Sequence, residues 1–379
     1  MAKWPKSQMA KSRHVDAGAA CVPAEVALFG NLAIWQFGHF VYPARVPRTS
    51  TPTRSSRNGV PPWGAWVGVG LVLLIAAGLR IGLNFWATGD DAAALFQLRS
   101  MRVGTGAATG AALAIAGVLL QALLRNPLAA PDVLGLSAGS GLGVMVVAYA
   151  SYLGGLGIAH VGAWSAPAAV VGGLGALAVV YLLGQRKGVV EPVSLILVGV
   201  VVSILCGSAM EFLRHLMPDQ GLAVSRMLMG AVRDIPPSRL AGASAVLLGG
   251  FVIAMVLARA MDAAELSDDE ARSVGVRLDR LRLILFLVAG LLTAASVLLT
   301  GAIGFVGLVA PHVARLLVGA GHRTLVPTAA LMGATLVVLA DAVARAIDLG
   351  SGPLPVGVLT TLIGGPLLVW MLRGQMRRV

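Results

Sequence analysis

Three features of the sequence have residue types at spacings that can support chemistry. Gly135-Leu136-Ser137-Ala138-Gly139 has the Gly-x-Ser-x-Gly spacing that presents a serine nucleophile. That arrangement works on a strand-to-helix turn with a histidine and an acid in reach. Here it opens an apolar, Gly-rich run, where small residues serve helix packing instead. The six histidines are scattered and no His-Glu-x-x-His occurs, so a zinc protease has no basis. A phosphate-cradling loop needs Gly-Lys-Ser/Thr. Past Lys11 the only lysine is Lys187, in Gly184-Gln185-Arg186-Lys187-Gly188. The residues point to no catalytic, cofactor or metal site, and any ATP hydrolysis must come from another subunit.

Other polar residues are spaced for positioning. Asp341 and Arg345 stand four apart and can pair on one helix face, either as a structural bridge or as part of a docking surface. Ser267 is a candidate N-cap with Glu270 at the capping-box position. Ala271 and Val274 are expected to share one face of the short helix that follows, and Gly275 to stop it. Such a helix either docks a cytoplasmic partner or is a solvated connector. Gly301, Gly304, Gly307 and Pro311 interrupt an apolar stretch, predicting a broken helix that needs protein or a cavity around it. His312, beside Pro311, has a structural or a substrate-contacting role. Glu211 and Arg214 close one span.

The elements that must position these groups follow from composition. Of 379 residues, 57% are hydrophobic and 12% charged, with mean hydropathy +0.84. A soluble domain carries about 25% charged residues. Apolar runs long enough to cross a bilayer recur, at about 64–86, 103–124, 133–150, 164–183, 193–213, 239–259, 281–300, 303–319, 327–346 and 355–372. The fold class is therefore all-α, a polytopic membrane protein of about ten transmembrane helices, surrounded by lipid. Gly135, Gly139 and Gly143 are spaced for close helix crossings. Residues 1–62 form a separate basic, Pro/Ser-rich tail expected to be disordered and cytoplasmic, and 63–379 the ten-helix transmembrane domain. With both termini inside, 21 of the 29 Lys/Arg fall on the cytoplasmic side. The net charge of +12 therefore reports orientation, not nucleic-acid binding. Cys21 and Cys206 make neither a disulfide framework nor a metal set.

Taken together, six segments resemble the permease subunit of the FecCD-type (type II) ABC importers for iron–siderophore complexes, haem and cobalamin. They are Arg99-Ser100-Met101-Arg102, Arg125 to Pro131, Leu134 to Gly139, Ala271 to Val276, Gly304 to Arg315 and Leu354 to Val358. The resemblance runs from about residue 64 to the C-terminus. It implies a pair of permease subunits, identical or not, in the cytoplasmic membrane of a bacterium. It also implies ABC ATPase subunits on the cytoplasmic side and an external binding protein delivering the chelate. Asp268, Asp269, Glu270, Ala271, Arg272, Ser273, Val274 and Gly275 are then the ATPase-coupling candidates. Arg99, Arg102 and Arg345 are the candidates for docking the binding protein. Arg125, Asn126, Pro127, Gly304, Gly307, Pro311, His312 and Asp341 are hinge or structural positions. Iron–siderophore is the expected cargo, with haem or cobalamin as the alternative. A secondary transporter would need acidic residues deep in the spans, and Asp341 is the closest candidate. The chain departs from the family pattern at Ser100-Met101, where Leu-Pro is usual, in a short loop at Thr88–Gln97, and in the tail. The pathway is expected to be lined by small and apolar side chains of the fifth, eighth and tenth spans.

Overall fold

A computed structural model describes residues 62–82, 91–186, 189–190, 192–347 and 354–376, all within one unit, Asn58–Val379. The expected tail, with Cys21, thus lies outside the described residues but for Pro62. In chain order the helices are α1 (Pro62–Gly82), α2 (Asp91–Leu124), α3 (Leu136–Leu153), α4 (Ile158–Leu183), α5 (Pro192–His215), α6 (Gly221–Leu228) and α7 (Pro237–Ala264). They continue with α8 (Asp268–Ser273), α9 (Leu278–Thr300), α10 (Val306–Val318), α11 (His322–Ala346) and α12 (Val356–Met376). A two-residue hairpin pairs Gln185–Arg186 with Val189–Val190 between α4 and α5. Among the described residues seven helices are long and apolar enough to span a membrane, and α1, α10 and α12 contain shorter apolar helices. These ten match the ten spans read from hydropathy.

Helix α2 is the axis of the bundle, with 89% of its most apolar window buried. Small residues let neighbours reach its backbone. A methyl on Gly110 would collide with the backbone of Gly333 in α11, and one on Gly117 with that of Gly307 in α10. The α3–α4 crossing works the same way, with Gly139 and Gly143 set against Ala168, Gly172 and Ala176. The expectation therefore holds for Gly139 and Gly143, whereas Gly135 lies outside α3 as its N-cap at φ 75°. By contrast α5 and α7 leave long apolar faces open, including Leu197, Val201, Ile204, Leu205, Val252 and Val256. Such faces are stable only against lipid or another apolar surface.

One boundary and one additional helix differ from the sequence reading. Helix α2 begins at Asp91, not near 103, so most of the loop expected at Thr88–Gln97 is helix. Without proline at 101 the backbone keeps its hydrogen bonds, and Thr105 Oγ1 donates back to the Met101 carbonyl at 2.8 Å. Arg99 and Arg102 consequently sit on a rigid helix. Helix α6 was not expected. It is too short to show as a span, and it buries Gly221 and Val224 on one side.

The break at 301–305 is real. Gly301 ends α9 with φ 77° and Phe305 starts α10 with φ 66°. Its backbone groups find partners in other irregular segments: Ala302 N–H donates to the Leu228 carbonyl at 3.2 Å, and Ala231 N–H to the Thr300 carbonyl at 2.8 Å. Gly357 N–H closes the set on the Gly230 carbonyl at 2.9 Å. Non-helical backbone is tolerated within a membrane when satisfied in this way.

Candidate functional site

At one end of the bundle the hinge and the short helix α8 meet. Arg125 Nε donates to the Ala264 carbonyl at 2.7 Å and its Nη2 to Asp268 Oδ1 at 2.6 Å. Arg282, from the first turns of α9, reaches the same carboxylate at 3.1 Å. One aspartate thus joins three segments and has its more distant partner 143 positions away in sequence. Burial works against the Asp268 charge and is the largest single influence. Arg282 and Arg125 together outweigh it and hold the carboxyl below its ordinary value of 3.8. Arg125 takes φ 47°, turning the chain, and Asn126 Oδ1 accepts from Leu128 N–H at 2.9 Å to fix the turn before α3.

Helix α8 is capped as expected. Ser267 Oγ accepts from Glu270 N–H at 3.3 Å and the Glu270 carboxylate accepts from Ser267 N–H at 3.2 Å. Gly275 ends the segment at φ 88°. Ala271 is fully buried but Val274 is 64% exposed, so the two do not share one face. The helix has only six residues, and Val274 already lies past its last turn. Asp269, Glu270, Arg272, Ser273, Val274 and Gly275 face outward, while Asp268 and Ala271 hold the helix to the body. Nearby, the buried His322 fixes α11 to the end of α7. Its N–H donates to Asp262 Oδ1 at 2.9 Å, and its Nδ1 lies 2.7 Å from the same oxygen. A cavity of about 450 Å³ opens beside this cluster, lined by Gln121, Asn126, Pro127, His312 and Arg315.

The other end carries the arginines expected outside. Arg102 is paired through two nitrogens with Asp234. Arg345 pairs with Asp341 at 3.0 Å and donates to the Val232 carbonyl at 2.7 Å. The i,i+4 bridge is therefore formed, and both arginines converge on the connection between α6 and α7. Arg99 lies one turn outward on α2 and is half-buried. Glu211 and Arg214 pair at the end of α5.

Between the ends runs a groove of about 540 Å³ bordered by Met145, Gly207, Met210, Glu211, Ala302 and Thr361. Its walls come from α3, α5, α6, the α9–α10 break and α12. Behind the break lies Asp132, which sequence reasoning missed. Its Oδ1 accepts from Ser137 Oγ at 2.8 Å and its Oδ2 from Phe305 N–H at 3.3 Å. Phe305, a non-glycine residue in the left-handed region, holds a conformation costing about 1–3 kcal/mol. The Asp132 bond holds it on one side, and its ring packs on Gly364, where a methyl would sit 2.6 Å from Cγ. Gly307 packs against Pro131 Cδ, leaving 2.8 Å for an added methyl. Pro311 is buried in α10.

A model of the FecCD transport family matches residues 64–374. The chain belongs to that family. It is 37% identical over 74% of its length to the hemin transport system permease protein HmuU of Yersinia pestis, covering 83% of that protein. The cobalamin import system permease protein BtuC of Halobacterium salinarum is 35% identical over 84% of this chain and 81% of its own. A solved metal-chelate type ABC transporter in an inward-facing conformation superposes with TM-score 0.72 and 30% identity, over 83% of this chain and 99% of that one. As an ABC-transporter permease, this FecCD member works with ATPase and substrate-binding partners. Its relatives are transport subunits, not enzymes. Membership explains why the six sequence segments stand together at the ends and at the break. It leaves Asp132 to be read from the geometry: the only signal in sequence is an Asp directly before a span, five residues ahead of a serine.

Proposed function

We propose that the chain is the membrane-spanning subunit of an ATP-driven importer for iron–siderophore complexes or a related metal chelate, with hemin and cobalamin as the alternative cargoes. The observation that carries this reading is the Arg125–Asp268–Arg282 node. It ties a six-residue helix, mostly solvent-facing, to the hinge after the central helix. A partner pressing on Asp269, Arg272 and Val274 would move α2, α7 and α9 together.

In this reading the node end and both termini are cytoplasmic, and residues 1–62 are a cytoplasmic extension. Residues 268–275 couple to the ATPase subunits. Arg99, Arg102 and Arg345 face a binding protein, with Asp234 and Asp341 setting the arginines' direction. A second permease subunit, most simply an identical one, completes the pathway against the groove. A chelate arrives with its metal already ligated, so the groove needs shape and apolar surface, not metal ligands. Helix pairs that swap between two packed arrangements supply the alternating access.

The test is uptake into proteoliposomes holding this chain, its ATPase and its binding protein, probed with ferrichrome, hemin and cyanocobalamin. ATP-dependent accumulation of one of them is expected. Accumulation driven by a proton gradient without ATP would contradict the reading.

A further inference from the structure

The geometry points to Asp132 as the positioning residue that passes movement from the Arg125–Asp268 node to the wall of the groove, an inference that rests on the function proposed above. The α2–α3 connection is short and stiff. Asn126 N–H donates to the Gln121 carbonyl at 3.2 Å, Ala129 N–H to Asn126 at 3.1 Å, Val133 N–H to Ala130 at 3.1 Å and Gly135 N–H to Asp132 at 3.3 Å. One end of this unit is Arg125, in the node. The other is Asp132, whose carboxylate is shared between the first turn of α3, through Ser137, and the break before α10, through Phe305.

The connection also climbs back into the bundle. Gly307 touches α2 at Gly117, seven residues before the end of that helix. That places the start of α10 about 10 Å inside the bundle at 1.5 Å per residue. Asp132 stands there, its carboxyl oxygens taken up by the Ser137 hydroxyl in the first turn of α3 and by the Phe305 N–H just ahead of α10. A methyl built on Gly304 would lie 3.5 Å from both Asp132 Oδ2 and Thr361 Oγ1, and Thr361 borders the groove. Only a glycine separates the carboxylate from the pathway wall. Ser203 Oγ, from α5 on the other wall, lies 3.3 Å from the Asp132 carbonyl while sharing its proton with the Gly199 carbonyl at 2.9 Å. Asp132 thus holds both walls, while its own chain leads to the node.

The experiment uses the complete transporter with its ATPase in lipid nanodiscs. Paired spin labels at Leu266 and Leu316 report the node end, and at Phe212 and Leu362 the groove, all exposed positions outside the 268–275 segment. Distances are compared with and without a non-hydrolysable ATP analogue. In the wild-type background both pairs shift. Asp132→Asn keeps the volume but turns an N–H toward Phe305 or Ser137, removing one of the two contacts. We expect the node pair to shift as before and the groove shift to shrink to about half or less. Ser137→Ala removes the other contact and serves if the asparagine variant does not fold; it is expected to weaken the groove shift in the same direction. A full groove shift in either folded variant overturns the inference, as does loss of both shifts together. A wild-type complex that shifts at neither pair would instead overturn the proposed function.

Discussion

The two ends of the bundle both bind arginines to carboxylates, but they do so for different ends. At the α7–α9 end one carboxylate serves two arginines from different segments, and the residues left over on α8 are exposed. At the α6–α7 end each arginine has its own aspartate, and both hold one connection, Val232–Asp234. In the proposed function the first arrangement couples elements that move. The second fixes the Val232–Asp234 connection in place. A shared carboxylate makes a joint; separate pairs make a platform.

Removing the shared carboxylate should have the largest effect. Asp268→Ala leaves Arg282, whose side chain is 10% exposed, without its partner. A loss of about 2 kcal/mol is expected, less than for a fully buried pair, together with a large drop in ATP-driven uptake. Thermal unfolding of the purified variant checks it; an unchanged midpoint would mean that the node carries no load.

The platform should respond more mildly, and a charge swap separates its two uses. Arg102→Asp combined with Asp234→Arg restores the internal pair, so stability should stay within about 0.5 kcal/mol of wild type. Affinity for the binding protein should fall about tenfold at low salt and recover partly at high salt. Wild-type affinity in the swapped protein would confine Arg102 to an internal role.

Acid should have the smallest effect. The folded state holds the Asp268 carboxyl below 3.8, so its stabilisation is complete above that value and disappears as pH falls through the lower, folded pKa. Wild type and Asp268→Asn should therefore differ in unfolding midpoint by a constant amount from about pH 7 to pH 5, and converge only below about pH 4. Convergence near neutral pH would show that the arginines do not hold the charge.

What was legible in the sequence was what depends on near neighbours. Hydropathy marked all ten apolar helices, and the Ser267–Glu270 cap, the Asp341–Arg345 bridge and the break at 301–305 each lie within a few residues. Helix α2 was cut short because its first turns carry Asp91, Gln97, Arg99 and Arg102, which resemble a loop until the missing proline at 101 is weighed. Asp234, the partner of Arg102, and Phe305, one of the two partners of Asp132, lie 132 and 173 positions away, beyond any local pattern. Val274 is expected on one face with Ala271 because a spacing of three suggests it, yet α8 ends before it. Glu270 is tied into the cap, so exchanging it together with Asp269 would also unpick the helix. Asp269 alone is the cleaner probe.

That residue gives the most direct test of the account. Asp269→Lys leaves the cap and the node intact and reverses one exposed charge where the ATPase is proposed to press. With purified ATPase in nanodiscs, permease-dependent stimulation of ATP hydrolysis should fall severalfold while the unfolding midpoint stays unchanged. Full stimulation by the Asp269→Lys protein would contradict the assignment of the 268–275 segment as the coupling element.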